Sequence, residues 1–121
     1  MSKHIVVVDD EPNIGLSLEL ILEREGYAVS VCKSVAEFET RIGQRRAAAY
    51  LLDVKLPDGS GIDLMMVLSN DYGLRGIALS GYGMAEDVAK TEQAGFLAHL
   101  VKPINFDQLH RVLEQVQLAA G

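Results

Sequence analysis

The stretch His4-Ile5-Val6-Val7-Val8-Asp9-Asp10-Glu11-Pro12 decides the fold. Its apolar part is β-branched and continuous rather than alternating, the pattern of a strand buried on both faces. Three acids follow at once, and Pro12 suits the first turn of a helix. Ile14, Leu18, Ile21 and Leu22 then recur at i, i+4, i+7 and i+8 as one apolar stripe. Gly26 is expected to end that helix.

The same alternation repeats downstream. Ala28-Val29-Ser30-Val31-Cys32 reads as a second strand, and Ser34-Val35-Ala36-Glu37 is a capping box that starts a helix running to about Ile42, where Gly43 stops it. Ala48-Ala49-Tyr50-Leu51-Leu52 reads as a third strand. Pro57-Asp58-Gly59-Ser60-Gly61 is turn chemistry, followed by a helix from Ile62 to about Asn70. Gly76-Ile77-Ala78-Leu79 is a fourth strand. Gly81-Tyr82-Gly83 is a loop, Met84 to Ala94 a helix closed by Gly95, and Phe96 to Val101 contains a fifth strand. Asn105 is placed to cap a last helix whose Phe106, Leu109, Val112, Leu113 and Val116 share one face. Five strands alternating with five helices predict an α/β fold, a doubly wound parallel sheet with helices on both faces. Right-handed crossovers then gather the C-terminal ends of the strands along one edge, where the site of such a sheet lies.

Composition narrows the function classes. The 121 residues, 49% hydrophobic and 23% charged, fit one domain spanning 1–121 with an ordinary core. A net charge of -6 repels a phosphate backbone, and Lys3-His4 and Arg45-Arg46 are too short for a binding stripe, so direct nucleic-acid binding is not expected. The single cysteine, Cys32, cannot form an internal disulfide; it is expected to pack in the core, and a reducing compartment suits it. No apolar run approaches the ~20 residues of a membrane span. A strand begins almost at the N-terminus, so no signal peptide is expected and the cytoplasm is the expected location.

The chemistry collects at the sheet edge. Asp9-Asp10, Asp53, Ser80 and Lys102 each follow an apolar run. Three carboxylates that close together repel one another and call for a cation. Mg²⁺, a hard ion that keeps several waters and takes one or two carboxylates, meets that need. Lys102 adds an ammonium and Ser80 a hydroxyl donor. Such a site suits a tetrahedral anion, with metal and ammonium cancelling phosphoryl charge while a carboxylate attacks phosphorus in line. Asp9 and Asp10, adjacent on one strand, are placed to share the cation. Asp53, alone on another strand and opposite Ser80 and Lys102, is the candidate nucleophile.

With these residues in view, the chain resembles the receiver domain of two-component response regulators over essentially its whole length. Asp9-Asp10, Asp53 with Leu56-Pro57 and Gly59, Ser80-Gly81 and Lys102-Pro103 carry the resemblance. It implies a flavodoxin-like fold with strand order 2-1-3-4-5. It also implies phosphorylation of Asp53 by a histidine kinase or histidine phosphotransfer protein, and Mg²⁺ held by Asp9, Asp10 and Asp53. Lys102 would pair with the phosphoryl group, Ser80 would move to hydrogen-bond it, and the Lys102-Pro103 bond would be cis. A phosphorylation-dependent dimer is compatible with it. The runs from Ser80 to Met84 and from His99 to Asn105 resemble receivers attached to hybrid histidine kinases. The chain ends soon after the last helix, so it reads as a single-domain regulator or an excised receiver without an output domain.

The sequence departs from the family at three places. Lys55 and Tyr82, two residues after Asp53 and Ser80, either screen the phosphoryl group from water or sit solvated at the rim. His99 stands where the family commonly has a rotating Tyr or Phe, and it either rotates likewise, with a titration near neutral pH, or is a bystander. His4 and His110 are expected to be surface residues without suitable neighbours, which disfavours a histidine metal site. Leu16 and Leu20 lie off the core stripe of the first helix, where they could dock the helices of a phosphodonor.

Three other readings compete. A small aspartyl-phosphate phosphohydrolase would place a second acid near Asp53, where Lys55 stands instead, so a turnover enzyme is not expected. A flavodoxin-type cofactor binder needs a phosphate loop where Asp9-Asp10-Glu11-Pro12 would repel phosphate. A degenerate receiver would have lost some of the five chemical positions, and all five are filled.

Overall fold

A computed structural model describes residues 3–41, 47–72, 76–80, 92–102 and 104–120, with side chains throughout except at 70–72 and 116–120. Strands β1 (His4–Val8), β2 (Ala28–Cys32), β3 (Ala49–Asp53), β6 (Gly76–Ser80) and β7 (Phe96–Val101) form one sheet in the order β2-β1-β3-β6-β7, every neighbouring pair parallel. Counting these five alone, the order is the expected 2-1-3-4-5. Two short strands, β4 (Lys55–Leu56) and β5 (Gly59–Ser60), pair as an antiparallel ribbon around the turn at Pro57-Asp58. The turn chemistry of that segment is legible in the sequence, but a two-residue ladder leaves no periodicity.

Alternation along the strands divides the core in two. Val6, Val8, Tyr50, Leu52 and Ala78 face one side, where Phe38 of helix α2 (Val35–Arg41) and Leu64, Met65 and Leu68 of helix α3 (Gly61–Tyr72) cover them. Ile5, Val7, Leu51, Ile77, Leu79 and Leu100 face the other. There Leu18 and Leu22 of α1 (Pro12–Arg24) and Leu109, Val112 and Leu113 of α4 (Phe106–Ala120) close the layer. Each fully buried aliphatic side chain stabilises the fold by about 1.5–3 kcal/mol. Both faces are therefore held apolar, as the unalternating strand sequences require.

The helix ends follow local chemistry. Gly26 has φ +94, its N–H bonds the Glu23 carbonyl at 3.0 Å, and the Tyr27 N–H bonds Leu22 at 3.1 Å, a Schellman closure of α1. Ser34 Oγ accepts the Glu37 N–H at 3.1 Å, and Asn105 Oδ1 accepts the Gln108 N–H at 3.0 Å, so both expected caps are present. Gly61 opens α3 one residue earlier than expected, for a steric reason: a Cβ there would lie 1.9 Å from the Asp53 carbonyl oxygen. That close approach seats α3 directly under the end of β3.

Several expectations are corrected. Phe106 is exposed rather than part of the α4 core stripe. It sits at the first residue of α4, beyond the cover of the sheet. His4 is half-buried and bonds Ser30 Oγ at 2.7 Å, and His110 bonds Glu25 Oε1 at 3.1 Å, so neither lacks a neighbour. Cys32 is buried in the core as expected. The Gly81-Tyr82-Gly83 loop, most of the helix from Met84, Ile42-Gly43, Arg45-Arg46 and Pro103 with its peptide bond fall outside the described residues, as does the Val116 side chain.

Candidate functional site

The strand ends bring the side chains of Asp9, Asp10, Asp53 and Lys102 to one place. Beyond the last rung of β1, the Asp9 N–H bonds the Cys32 carbonyl at 2.9 Å. Beyond β3, the Val54 N–H bonds Leu79 at 3.0 Å, and beyond β7 the Lys102 N–H bonds Ser80 at 2.8 Å. The ladder thus fixes the backbone at Asp9, next to Asp53, and at Ser80 and Lys102. Asp53 and Ser80 are the last residues of their strands rather than the first beyond them, and both are buried, as is Asp9. Asp10 is exposed.

Lys102 is the hub. Its Nζ lies 2.7 Å from Glu11 Oε1, 2.9 Å from Asp9 Oδ2 and 3.1 Å from Asp53 Oδ2. The two buried carboxylates are fixed at their other oxygens by the backbone. Asp9 Oδ1 accepts the Glu11 N–H at 2.9 Å, and Asp53 Oδ1 accepts the Lys55 N–H at 3.0 Å. Three carboxylates, those of Asp9, Glu11 and Asp53, therefore surround one ammonium, and Asp10 lies beside two of them. Burial opposes the charge of Lys102, but contacts with Asp9, Glu11 and Asp53 outweigh it and hold its pKa above the ordinary lysine value. Asp9 moves the other way for an acid. Burial raises its pKa and the nearby Asp53 charge adds to this, while the Lys102 and Glu11 contacts only partly oppose the rise. The two directions agree physically, because one ammonium gains from three carboxylates while each carboxylate has only a share of one ammonium.

Oxygens of Asp9, Asp10 and Asp53 lie within 4.8 Å of one another, a grouping that could hold a metal ion. The donor set is all carboxylate oxygen, which suits a hard divalent cation. Asp9 Oδ2 is buried, and its contact with Lys102 lacks hydrogen-bond angles, so among the described residues no donor meets that oxygen with hydrogen-bond geometry. An unsatisfied buried carboxylate oxygen in an acid-rich cup fits a cation ligand.

Of the five positions expected from sequence, the structure brings Asp9, Asp10, Asp53 and Lys102 together, whereas Ser80 ends the neighbouring strand with its hydroxyl on His99. Sequence reasoning missed the engagement of Glu11 with Lys102, although the run of three acids after β1 was a visible signal. It also missed Asp58. The Asp58 carboxylate accepts the N–H groups of Val35 and Ala36, both at 2.9 Å, and so ties the ribbon beside Asp53 to the start of α2. Nothing local in the sequence points across those 22 residues. His99 does lie beside Ser80, and its Nε2 is hydrogen-bonded to Ser80 Oγ. Leu16 and Leu20 are exposed, at 56% and 58%.

A profile described as the response regulator receiver domain matches residues 5–114. Sporulation initiation phosphotransferase F of Bacillus subtilis (strain 168) is 25% identical over 95% of this chain and 94% of its own length. Acid tolerance regulatory protein ActR of Rhizobium meliloti (strain 1021) is 31% identical over 93% of this chain, which spans only 59% of that relative. Among solved structures, the beryllofluoride-activated NtrC4 receiver domain dimer superposes with a TM-score of 0.89 at 28% identity, covering 98% of both chains.

Proposed function

The chain belongs to the response regulator receiver domain family, the phosphoacceptor unit of two-component signalling, and from that premise we propose that Asp53 is the residue that accepts the phosphoryl group. The carrying observation is the Lys102 ammonium, set 3.1 Å from Asp53 Oδ2 inside a ring of further carboxylates. An Asp53 carboxylate oxygen attacks phosphorus of a phosphohistidine. A P–O bond forms, the P–N bond breaks, and the imidazole leaves with the electron pair. Lys102 offsets charge on the phosphoryl oxygens, and the Lys55 N–H holds the second Asp53 oxygen so that the carboxylate keeps its aim. Ser80 offers a hydroxyl at the end of the adjacent strand, where it can bond the phosphoryl group and so change its relation to His99.

Asp9, Asp10 and Asp53 would hold Mg²⁺. When bound, the ion supplies positive charge that relieves carboxylate repulsion and neutralises phosphoryl oxygens.

The phosphodonor is a histidine kinase or a histidine phosphotransfer protein. The exposed Leu16 lines a groove of about 250 Å³ with Pro12, Glu19, Val31 and Lys33 that reaches Asp9 and Glu11, and Leu20 is exposed on the same helix, a surface suited to the donor's helices. A dimer in the activated state follows the precedent of the NtrC4 receiver. The protein acts as a switch and not as a turnover enzyme on external substrates. No helix among the described residues is long and apolar enough to cross a membrane, which is compatible with a cytoplasmic site of action.

Intact-mass measurement after incubation with phosphoramidate and Mg²⁺ tests the reading. One phosphoryl group is expected on the wild type and none on Asp53→Asn. Unchanged uptake by that variant would overturn the assignment.

A further inference from the structure

Glu11 occupies the N-cap of α1, yet its side chain makes no capping hydrogen bond. It turns instead to Lys102, and at 2.7 Å this is the shortest of the three carboxylate contacts to Nζ. The backbone of Glu11 is fixed on both sides. Its N–H donates to Asp9 Oδ1 at 2.9 Å, and its carbonyl accepts the Gly15 N–H at 3.2 Å. The side chain is therefore launched from a rigid point toward the ammonium, although it is itself 58% exposed, whereas the Lys102 side chain is only 12% exposed.

We propose that Glu11 is a positioning residue that competes with the phosphoryl group for Lys102, so that transfer to Asp53 requires its carboxylate to withdraw from the ammonium. The inference rests on the reading of Asp53 as phosphoacceptor and deepens it. An ammonium has three N–H donors, and three carboxylates already crowd it. An arriving phosphoryl group needs room among them. Asp9 and Asp53 cannot retreat, because both are buried and held by backbone amides. Glu11 can swing into solvent, where its carboxylate is hydrated at little cost. Its charge also repels an incoming anionic donor until it moves.

The test compares wild type with Glu11→Gln in uptake from phosphoramidate and in affinity for beryllofluoride, a phosphoryl mimic that requires no transfer. In uptake, the P–N bond of phosphoramidate breaks as the P–O bond to Asp53 forms, and the amine leaves with the electron pair and takes a proton from water. Exposed ion pairs of this kind shift equilibria by about two- to fivefold. Glu11→Gln is therefore expected to bind beryllofluoride about two- to fivefold more tightly and to take up phosphoryl faster by a similar factor. The gain should shrink at high ionic strength, as charge competition requires and a purely structural role does not. Glu11→Asp, which keeps the charge but is shorter by a methylene, should fall between the two. Equal or weaker beryllofluoride binding by Glu11→Gln overturns the inference while leaving Asp53 as acceptor. Absence of uptake by the wild type itself overturns the parent reading, and this inference with it.

Discussion

The Ser80 hydroxyl is hydrogen-bonded to Nε2 of His99 across the β6–β7 pair. Ser80 ends the strand next to that of Asp53, whereas His99 is partly exposed on the strand beyond, so this bond leads from the strand end toward the outer surface. Replacing Ser80 with Ala should leave Asp53 competent for phosphoryl uptake but disconnect His99. NMR of the imidazole should show a large shift on adding beryllofluoride to the wild type and a much smaller one in Ser80→Ala. An equal shift in both would mean that the bond does not couple the site to that surface.

Lys102→Met should damage both chemistry and stability. Loss of one preorganised charge donor lowers phosphoryl transfer by about a hundredfold. Removing the ammonium also strands Asp9 and Asp53, and breaking a buried pair in this way costs about 3 kcal/mol at neutral pH. The stability loss should shrink as pH falls toward 3.8, because Asp9, whose pKa burial holds above that value, protonates on the way. Denaturant melts of both proteins across that pH range check the sign.

Divalent cation should stabilise the fold through the same acids. The folded-state pKa of Asp9 is raised above its unfolded value of 3.8, so above the folded value its ionised form opposes folding. That penalty is relieved as pH falls through the folded value toward 3.8. Without cation, Asp9→Asn should therefore be more stable than wild type at neutral pH, by a margin that closes on acidification. Mg²⁺ at a hundredfold excess over its dissociation constant should add about 2.7 kcal/mol to the wild type and much less to the variant. Thermal melts with and without Mg²⁺ give both numbers.

Asp58 supplies the pH dependence of opposite sign. Its carboxylate accepts the Ala36 and Val35 N–H groups, and these bonds hold its pKa below 3.8. Its stabilising effect is complete above 3.8 and is lost as pH falls through the lower folded value. Asp58→Asn loses the charge and one acceptor, so its melting temperature should be lower than wild type at neutral pH and should converge with it in strong acid.

Much of this was legible because strand and helix periods differ and because parallel sheets collect their functional groups at one edge. Val6 and Val8 against Ile5 and Val7 already imply two covered faces, and Asp9, Asp53, Ser80 and Lys102 each close an apolar run. Contacts made across long sequence separation were not legible. Lys102 reaches Glu11 across 91 residues, and no local pattern encodes that pairing. Asp58 resembles any turn aspartate until the fold lays α2 beside it. Phe106 fits the helical period of α4 but stands one turn ahead of the residues the sheet covers. Periodicity names a face without saying how far the neighbouring layer extends.

The central claim is that the carboxylate beside Lys102 on β3 receives the phosphoryl group. Borohydride reduction of the phosphorylated protein converts an aspartyl phosphate to homoserine, and peptide mass mapping then locates it. Homoserine at position 53 alone is the expected result. Homoserine at position 9 or 10, or a phosphoryl group on no aspartate at all, would contradict it.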